Sequence, residues 1–277
     1  MYTPHHLYHY TSIDTLDKII KSRKLKLNRL DKADDLNEGK THDLGNLGMY
    51  IFVSCWTDTD SESIPLWNMY SDGMKGVRIK MHSNIIEPHF ISSDSEISLW
   101  AKKKFFIEKG TPYLVPIEEM HGQDFIVGPY PRDFLYKVEY SNNSNKIFPE
   151  SYKYENNYHI IKFGLIGRVK RAEWEFQSEW RYRFTVLPAP PPPKRSYDKY
   201  KEETGKEFEV LCKETFEKRI VSKDYFLLNI KENAINDMEI MLGPKCSNTE
   251  LEAVKNIIEN SGYKLKLKFS SLTGQIK

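Results

Sequence analysis

The stretch Leu7-Tyr8-His9-Tyr10-Thr11-Ser12 begins the pattern that decides the fold. Alternate side chains of an extended segment share one face, so this stretch predicts a short strand with positions 7, 9 and 11 on one side. Ser12 is a residue type that caps helices. The helix predicted after it has an apolar stripe at helical spacing, formed by Ile13, Leu16, Ile19 and Ile20.

The rest of the chain continues with many short β-type segments and few helices. Further strands are predicted at 25–27, 49–56, 77–81, 134–140, 179–187, 225–230, 239–242 and 263–269. Further helices are predicted at 65–70, 98–109 and 249–261. Because the strands and helices do not alternate regularly, the pattern disfavours a doubly wound parallel sheet and predicts an α+β fold.

Chain length and proline content predict the domain organisation. A chain of 277 residues suits a single domain over 1–277 that buries a proper core. Prolines at 188 and 190–193 must be extended and cannot continue a central strand. Together with the charged stretch after them, they form a segment at about 188–222 that we interpret as a surface excursion between strands. A linker to a second domain is the alternative.

Composition excludes several classes of protein. With 41 basic and 39 acidic residues the net charge is +2, which predicts no general attraction to nucleic acid or acidic membranes. Three widely spaced cysteines, at 55, 212 and 246, argue against a disulfide framework and a structural zinc site. No secretory signal or apolar run of the roughly 20 residues that span a bilayer is recognisable. We therefore expect a cytoplasmic protein with no metal and no membrane association.

Four segments stand out by residue type and order. They are LYHYTS at 7–12, LNE at 36–38, FVSCW at 52–56 followed by LWNMY at 66–70 and Gly76, and Lys170 followed by WEFQSEWR at 174–181. They resemble the motifs YHYT, LNDPxE, LWxxYxxxxxG and K…WxxExEWR of a widespread bacterial domain-of-unknown-function family. The resemblance covers about 7–181, with a weaker echo at 242–244. The proline of the second motif is absent, and Gln177 replaces the first glutamate of the fourth.

That family in turn resembles the ADP-ribosyltransferases with a His-Tyr-Glu triad. His9 on the first strand, Tyr70 on a helix and Glu179 at the start of a late strand occur in the corresponding places and order. The stretch Gln177-Ser178-Glu179 resembles the Q-x-E turn of bacterial transferases. The resemblance implies split, largely antiparallel β-sheets with flanking helices, and a cleft that holds NAD as co-substrate.

The resemblance also implies chemical roles. Breaking the bond between nicotinamide and ribose develops positive charge on the sugar, which the Glu179 carboxylate would stabilise. The Tyr70 ring would stack on nicotinamide, and His9 would bond to a ribose hydroxyl. In an extended segment Gln177 faces the same way as Glu179, so we expect it to position the acceptor.

Further contacts to NAD are expected from neighbouring positions. Tyr10 and Thr11 belong to the first strand, and either Thr11 or Ser54 would add a hydroxyl contact. Lys170, a compact cation, would bind the pyrophosphate. The structural alternative for the charged residues of 170–181 is a solvated run of ion pairs that contribute little each.

Three functions remain open at this point. The leading hypothesis is a mono-ADP-ribosyltransferase that modifies an intracellular macromolecule, as a toxin or phage-defence effector would. An NAD glycohydrolase, in which water is the acceptor, is the first alternative. A non-catalytic protein of the same fold, binding a partner or a nucleotide, is the second. The acceptor, protein or nucleic acid, and the oligomeric state stay open, and Asn37 and Glu38 are interpreted as a turn.

Overall fold

The computed structural model describes residues 3–90, 95–97, 105–107, 110–156, 158–191, 201–202, 205–206 and 208–276. Within these residues strands and helices are both present, and antiparallel strand pairs predominate. The α+β prediction is confirmed at this level.

The strands are short and spread along the whole chain. Their bounds are β1 (His6–Thr11), β2 (Lys24–Arg29), β3 (Lys40–Thr41), β4 (Gly45–Asn46), β5 (Ile51–Thr57), β6 (Val77–His82), β7 (His89–Phe90), β8 (Ser95–Ile97), β9 (Phe105–Ile107), β10 (Pro112–Tyr113), β11 (Phe125–Val127), β12 (Leu135–Lys137), β13 (Glu139–Ser141), β14 (Tyr152–Glu155), β15 (Tyr158–Ile161), β16 (Val169–Arg171), β17 (Glu179–Pro188), β18 (Tyr225–Asn229), β19 (Glu239–Leu242) and β20 (Lys266–Phe269).

Helices lie between and beside these strands. The α-helices described are α1 (Ile13–Ser22), α2 (Ile64–Tyr70), α3 (Ser144–Ile147), α4 (Phe208–Glu217), α5 (Glu232–Asn236) and α6 (Asn248–Ser261). Short 3-10 helices occur at Leu30–Lys32, Gly48–Tyr50, Ile117–Glu119, Phe163–Leu165 and Ala172–Gln177.

One ten-stranded sheet organises the described part of the chain. Its main path runs β11–β17–β5–β1–β6–β19–β20, while β12 pairs with β17, β2 with β5, and β18 with β2. The core packs against this sheet; the rings of Phe52 on β5 and Phe184 on β17, for example, stack with centroids 5.6 Å apart. The paired strands β5 and β17 therefore fix the positions of the residues at the end of β5 and the start of β17.

The sheet forks along one edge of β5. Strand β1 pairs with that edge at Thr57 alone, whereas β2 pairs with it at Val53 and Phe52. Cys55 lies between these two contacts, and its carbonyl accepts a hydrogen bond from His9 Nδ1 at 2.9 Å instead of from a strand backbone. The His9 side chain thus completes the hydrogen bonding of this carbonyl where the two branches separate.

Helix α1 forms as its sequence pattern predicts. The backbone N–H of Thr15 donates to the Ser12 side chain, so Ser12 is the N-cap. The buried face consists of Leu16, Ile19 and Ile20. Helix α6 begins with a capping box between Ser247 and Glu250. Local sequence thus determines both helix starts.

Two glycines allow a close approach of backbone segments next to β1. A Cβ atom on Gly76 would lie 2.2 Å from the carbonyl oxygen of Thr11. A Cβ atom on Gly243 would lie 2.3 Å from the carbonyl oxygen of Met74, and Gly243 N donates to the carbonyl of Gly76. Gly76 of the third motif and Gly243 of the weaker echo at 242–244 therefore pack at the same junction.

Some predicted elements differ from the structure. Within the helix predicted at 98–109 only 105–107 are described, and they form strand β9, so the helix prediction is wrong there; 98–104 and 108–109 lie outside the described residues. The strand predicted at 134–140 is two strands, because β12 pairs with β17 and β13 with β16. The strand predicted at 49–56 is preceded by a 3-10 turn at Gly48–Tyr50, so it begins only at Ile51, and it ends at Thr57.

The predicted excursion is described only in part, because 192–200, 203–204 and 207 lie outside the described residues. In the part that is described, the ring of Phe216 on α4 stacks against Tyr50 with centroids 5.7 Å apart. Among the described residues, no helix has both the length and the apolar content to cross a bilayer.

Candidate functional site

Four oppositely charged side chains meet inside the protein at the start of β17. This central charge cluster consists of Glu38, Lys170, Glu179 and Arg181, each at most 5% exposed. Two negative and two positive charges offset each other there. The residues come from the second and fourth sequence motifs, which the fold brings into direct contact.

Arg181 is the most buried member of the cluster. Its Nε donates to Glu179 Oε1 at 2.5 Å, and its Nη2 donates to Glu38 Oε1 at 2.6 Å and to Glu179 Oε2 at 3.1 Å. Nη1 donates to the carbonyl of Gly167 at 2.9 Å. A guanidinium held by two carboxylates and a carbonyl has its orientation determined by geometry, so Arg181 fixes the position of both acids.

Lys170 on β16 links the acids to an amide. Its Nζ donates to Glu179 Oε2 at 3.1 Å and to Gln177 Oε1 at 2.8 Å, and it lies 3.6 Å from Glu38 Oε2. The same ammonium lies 4.7 Å from the ring centroid of Trp174. The amine that was expected to bind a pyrophosphate is thus engaged by side chains of the protein.

The network continues from the cluster toward the surface through Tyr70. Gln177 Nε2 donates to the Tyr70 hydroxyl at 2.8 Å, and that hydroxyl donates to Asp34 Oδ2 at 2.7 Å. Tyr70 ends helix α2 and is half-buried. Tyr70, from the third motif, therefore belongs to the same hydrogen-bonded network as residues of the second and fourth motifs.

The backbone around Gln177 differs from the extended segment that was predicted. Gln177 ends a 3-10 helix, and Ser178 has φ 42°, in the left-handed region. The turn is held by Ser178 Oγ, which donates to Asp58 Oδ1, and by the backbone N–H of Glu179, which donates to the Tyr140 hydroxyl. Gln177 and Glu179 still meet at the same ammonium group, but through this turn.

The electrostatics of the site keep Glu179 ionised. Burial by itself raises the pKa of Glu179. The charges of Arg181 and Lys170 outweigh burial and bring the pKa down to about 2. Burial opposes the charge on Arg181, while Glu179 and Glu38 hold its pKa above the usual range. Burial and the hydrogen bond to Asp34 raise the pKa of Tyr70, so its hydroxyl keeps its proton.

Cys55 marks the open side of the cluster. Its position on β5 is opposite Arg181 in the cross-strand register, and its thiol lies beside the Glu179 carboxylate. Unlike the four charged residues, Cys55 is exposed. The side of Glu179 next to Cys55 is therefore the side that reaches solvent.

Among the described contacts, His9 bonds to the Cys55 carbonyl and makes no hydrogen bond to a side chain of the cluster. Its ring packs on Trp56, with centroids 4.9 Å apart. The cluster is on the face of β5 that carries Cys55, because Arg181 pairs with Cys55, and successive residues of a strand face opposite sides. Burial lowers the pKa of His9, and the hydrogen bond to the Cys55 carbonyl partly offsets this. Tyr70 and Glu179 thus share one hydrogen-bonded network, whereas the His9 ring bonds to the β5 backbone at Cys55 and packs on Trp56.

The remaining predicted contacts are occupied within the protein. The hydroxyl of Tyr10 accepts from the backbone N–H of Ser63, and its ring packs edge-on against Trp67. Ser54 Oγ accepts from Trp56 Nε1 at 3.1 Å. Thr11 is buried at the end of β1. None of these three side chains reaches the central charge cluster.

Sequence reasoning missed two members of the cluster. Arg181 was seen only as part of a motif, and Glu38 was interpreted as part of a turn. The turn is present, but Glu38 is buried, and its Oε2 has no hydrogen-bond partner. Both residues belong to the motifs of the family resemblance, which was the available signal. Their pairing joins positions 143 residues apart and is invisible to local patterns.

Among the described residues, no group of three or more His, Cys, Asp or Glu side chains is arranged so that it could hold a metal ion.

Comparison with known proteins finds no relative. No family model matches the chain, and no curated protein or solved structure is significantly similar to it.

Proposed function

We propose that this chain binds NAD beside the central charge cluster and transfers its ADP-ribosyl group to an acceptor, as an ADP-ribosyltransferase does. The observation that carries the proposal is the hydrogen-bonded series from Tyr70 through Gln177 and Lys170 to Glu179. It connects a half-buried aromatic residue to a carboxylate that stays charged. These are the residue types that the resemblance to ADP-ribosyltransferases assigns to the reaction.

The two ends of this series suit the two parts of the scissile bond. When the bond between nicotinamide and ribose breaks, its electron pair leaves with nicotinamide and the sugar becomes cationic. The flat ring of Tyr70 is a stacking surface for nicotinamide. The Glu179 carboxylate, with a pKa of about 2, is a fixed negative charge for the cationic sugar. An acceptor nucleophile would then attack the sugar carbon.

Lys170 and Arg181 act in this proposal as positioning residues. They hold the Glu179 carboxylate in one orientation before substrate arrives, which is the preorganisation that electrostatic stabilisation requires. They also occupy its inner side, so the sugar would approach from the side of the exposed Cys55. Gln177, between the ammonium and Tyr70, takes the place of a glutamate and would help to select the acceptor.

A non-catalytic nucleotide-binding function is the second candidate. It is favoured by the saturation of Glu179, whose two carboxylate oxygens accept hydrogen bonds from Arg181 and Lys170. The engagement of His9 Nδ1 by the backbone carbonyl of Cys55 favours it too. In that case the cluster would only hold β16 and β17 together, and NAD would bind without being cleaved.

The deciding experiment measures nicotinamide release from NAD that is labelled in the adenosine part, with and without a cell extract. We expect release by the wild type, and a decrease of about 100-fold or more in Glu179→Gln. Label in a macromolecule indicates a transferase, and label only in free ADP-ribose indicates a glycohydrolase. Glu175→Gln is the matched control, because Glu175 is exposed in the same segment and should leave release unchanged.

Binding of NAD, measured by calorimetry on the same proteins, separates the remaining outcomes. Binding without release, in the presence and absence of extract, would establish the non-catalytic candidate. Neither binding nor release would contradict both candidates. Equal release by wild type and Glu179→Gln would remove the assignment of this carboxylate.

A further inference from the structure

A cleft lies over the branch of the sheet that contains β1 and β6. Its floor is formed by β1, β6, β19 and β20, and its volume is about 360 Å³. The residues that line it include Tyr8, Arg78, Lys80, Lys268 and Phe269, together with the acids Asp60, Glu62 and Glu239. Cavities of this size hold small organic molecules. The cleft does not include any member of the central charge cluster.

Arg78 at the floor of this cleft is a buried cation without an ion pair. The residue is 5% exposed. Its Nη1 donates to the backbone carbonyl of Asp60 at 2.7 Å, and its guanidinium lies 4.7 Å from the ring centroid of Tyr8. No carboxylate among the described residues forms an ion pair with it. A buried charge is costly unless it is compensated, and the guanidinium nitrogens that make no bond are not sealed from solvent.

The acids of the cleft are already engaged. Glu62 Oε1 accepts from Ser271 N and Oγ at 2.7 Å, and Glu62 Oε2 accepts from Trp67 Nε1 and Ser270 Oγ. The hydrogen bond from the Tyr8 hydroxyl lowers the pKa of Asp60, with the Arg78 charge as a further cause. The carboxylates are thus turned to partners in the wall.

The two lysines share a single acid. Lys268 Nζ contacts Glu239 closely, and Lys80 Nζ lies 3.7 Å from the other oxygen of the same carboxylate. Three cations and three acids line the cleft, but the acids have their hydrogen-bond partners while N–H groups of Arg78 and the lysines remain. The cleft therefore presents an excess of donors, which a ligand rich in acceptor oxygens would satisfy.

We infer that this cleft binds a phosphate monoester of about nucleoside size, with its phosphate on Arg78, Lys80 and Lys268. Arginine and lysine together are a common recognition set for phosphate. The volume exceeds the needs of a phosphate alone, and Phe269 at 62% exposure offers an aromatic surface for the organic part. The inference does not depend on the proposed reaction at Glu179.

Calorimetric titration with AMP, adenosine and inorganic phosphate tests this inference on the full chain. We expect AMP to bind at millimolar concentration or below, and adenosine to bind more weakly. Arg78→Gln should weaken AMP binding by about tenfold or more. Lys268→Ala, at a side chain that is half-exposed and so tolerant of truncation, should weaken it by about threefold. Lys255→Ala, an exposed lysine on α6, removes the same charge elsewhere and should have no effect.

The outcomes separate this cleft from the proposed NAD site. Tyr70→Ala should leave AMP binding unchanged. If AMP binding depends on Tyr70 and not on Arg78 or Lys268, or if neither AMP nor phosphate binds the wild type, the inference is overturned. Equal affinities for AMP and inorganic phosphate would contradict binding of the organic part and leave a site for free phosphate only. If Arg78→Gln fails to fold, the comparison of Lys268→Ala with Lys255→Ala decides.

Discussion

Gln177 Nε2 donates a hydrogen bond of 2.8 Å to the Tyr70 hydroxyl and so joins residues that are 107 positions apart. Gln177 ends the 3-10 helix before β17, and Tyr70 ends α2. Through this bond the buried charges around Glu179 are connected to a ring at the surface. The candidate site is therefore a junction between the helix of the third motif and the strand of the fourth.

Substitutions of Tyr70 should separate the roles of its ring and its hydroxyl. Tyr70→Phe keeps the stacking surface but removes the bonds to Gln177 and Asp34, so we expect NAD affinity to persist and stability to fall by about 1 kcal/mol. Tyr70→Ala removes the ring and should abolish NAD binding. Calorimetry and urea denaturation measure the two effects. NAD binding by Tyr70→Ala at wild-type affinity would contradict the stacking role.

Loss of Arg181 should be severe. Arg181→Met leaves Glu38 and Glu179 buried with only Lys170 as a countercharge, and we expect the free energy of unfolding to fall by about 3–5 kcal/mol. Lys18→Met is the control, because it breaks an exposed pair with Asp14 on α1 and should change stability little. Urea denaturation followed by circular dichroism compares the two. Similar losses in both variants would show that burial does not make the ion pairs of the cluster contribute more to the free energy of unfolding than an exposed pair does.

Stability should decrease in acid through Glu179. Its folded-state pKa is about 2 and its ordinary value is 4.5, so the stabilisation is fully present above about pH 4.5. It is lost as the pH falls toward the folded value, because the unfolded chain takes up the proton first. Denaturation at a series of pH values should show a smaller acid-induced loss for Glu179→Gln than for wild type. Glu175→Gln should follow the wild type, and an unchanged slope in Glu179→Gln would refute the assignment.

Gly76 should tolerate no side chain. A Cβ atom there would lie 2.2 Å from the Thr11 carbonyl oxygen and 2.9 Å from Ser71 Cβ, so Gly76→Ala forces backbone segments apart. We expect a loss of about 1–3 kcal/mol in the free energy of unfolding. Gly164→Ala is the matched control, since a Cβ there meets nothing within 4 Å and should change stability by less than about 0.5 kcal/mol. Thermal and urea denaturation give both values.

Elements with strong local signals were predictable. Helix α1 starts at Ser12, and β1 precedes it, because a cap residue and an apolar stripe act within a few residues of each other. Helix α6, with its capping box, follows the same rule. The segment at 134–140 was harder, because its division into β12 and β13 depends on two different partner strands.

The site was predictable in its residues more than in its geometry. The motifs identified Tyr70, Gln177, Lys170 and Glu179, which the fold brings together. The same reasoning grouped His9 with them, although its ring bonds to the Cys55 carbonyl at the fork of the sheet and packs on Trp56 rather than joining this network. The sequence predicts where a strand lies, but which of its side chains meets a distant residue depends on how that strand pairs with its neighbours in the sheet.

By itself the sequence determined the N-cap of α1, most strands of the ten-stranded sheet, the α+β class and the residue types of the candidate site, because short-range periodicity and backbone preference decide these features. Only the tertiary structure decided that Glu38 and Arg181 are buried partners, that the sheet forks at Cys55, and that Arg78 lines a separate cleft. Those features arise from contacts between segments far apart in the chain. Burial strengthens such contacts and makes unpaired charge costly, and no local pattern encodes which distant residue supplies the partner.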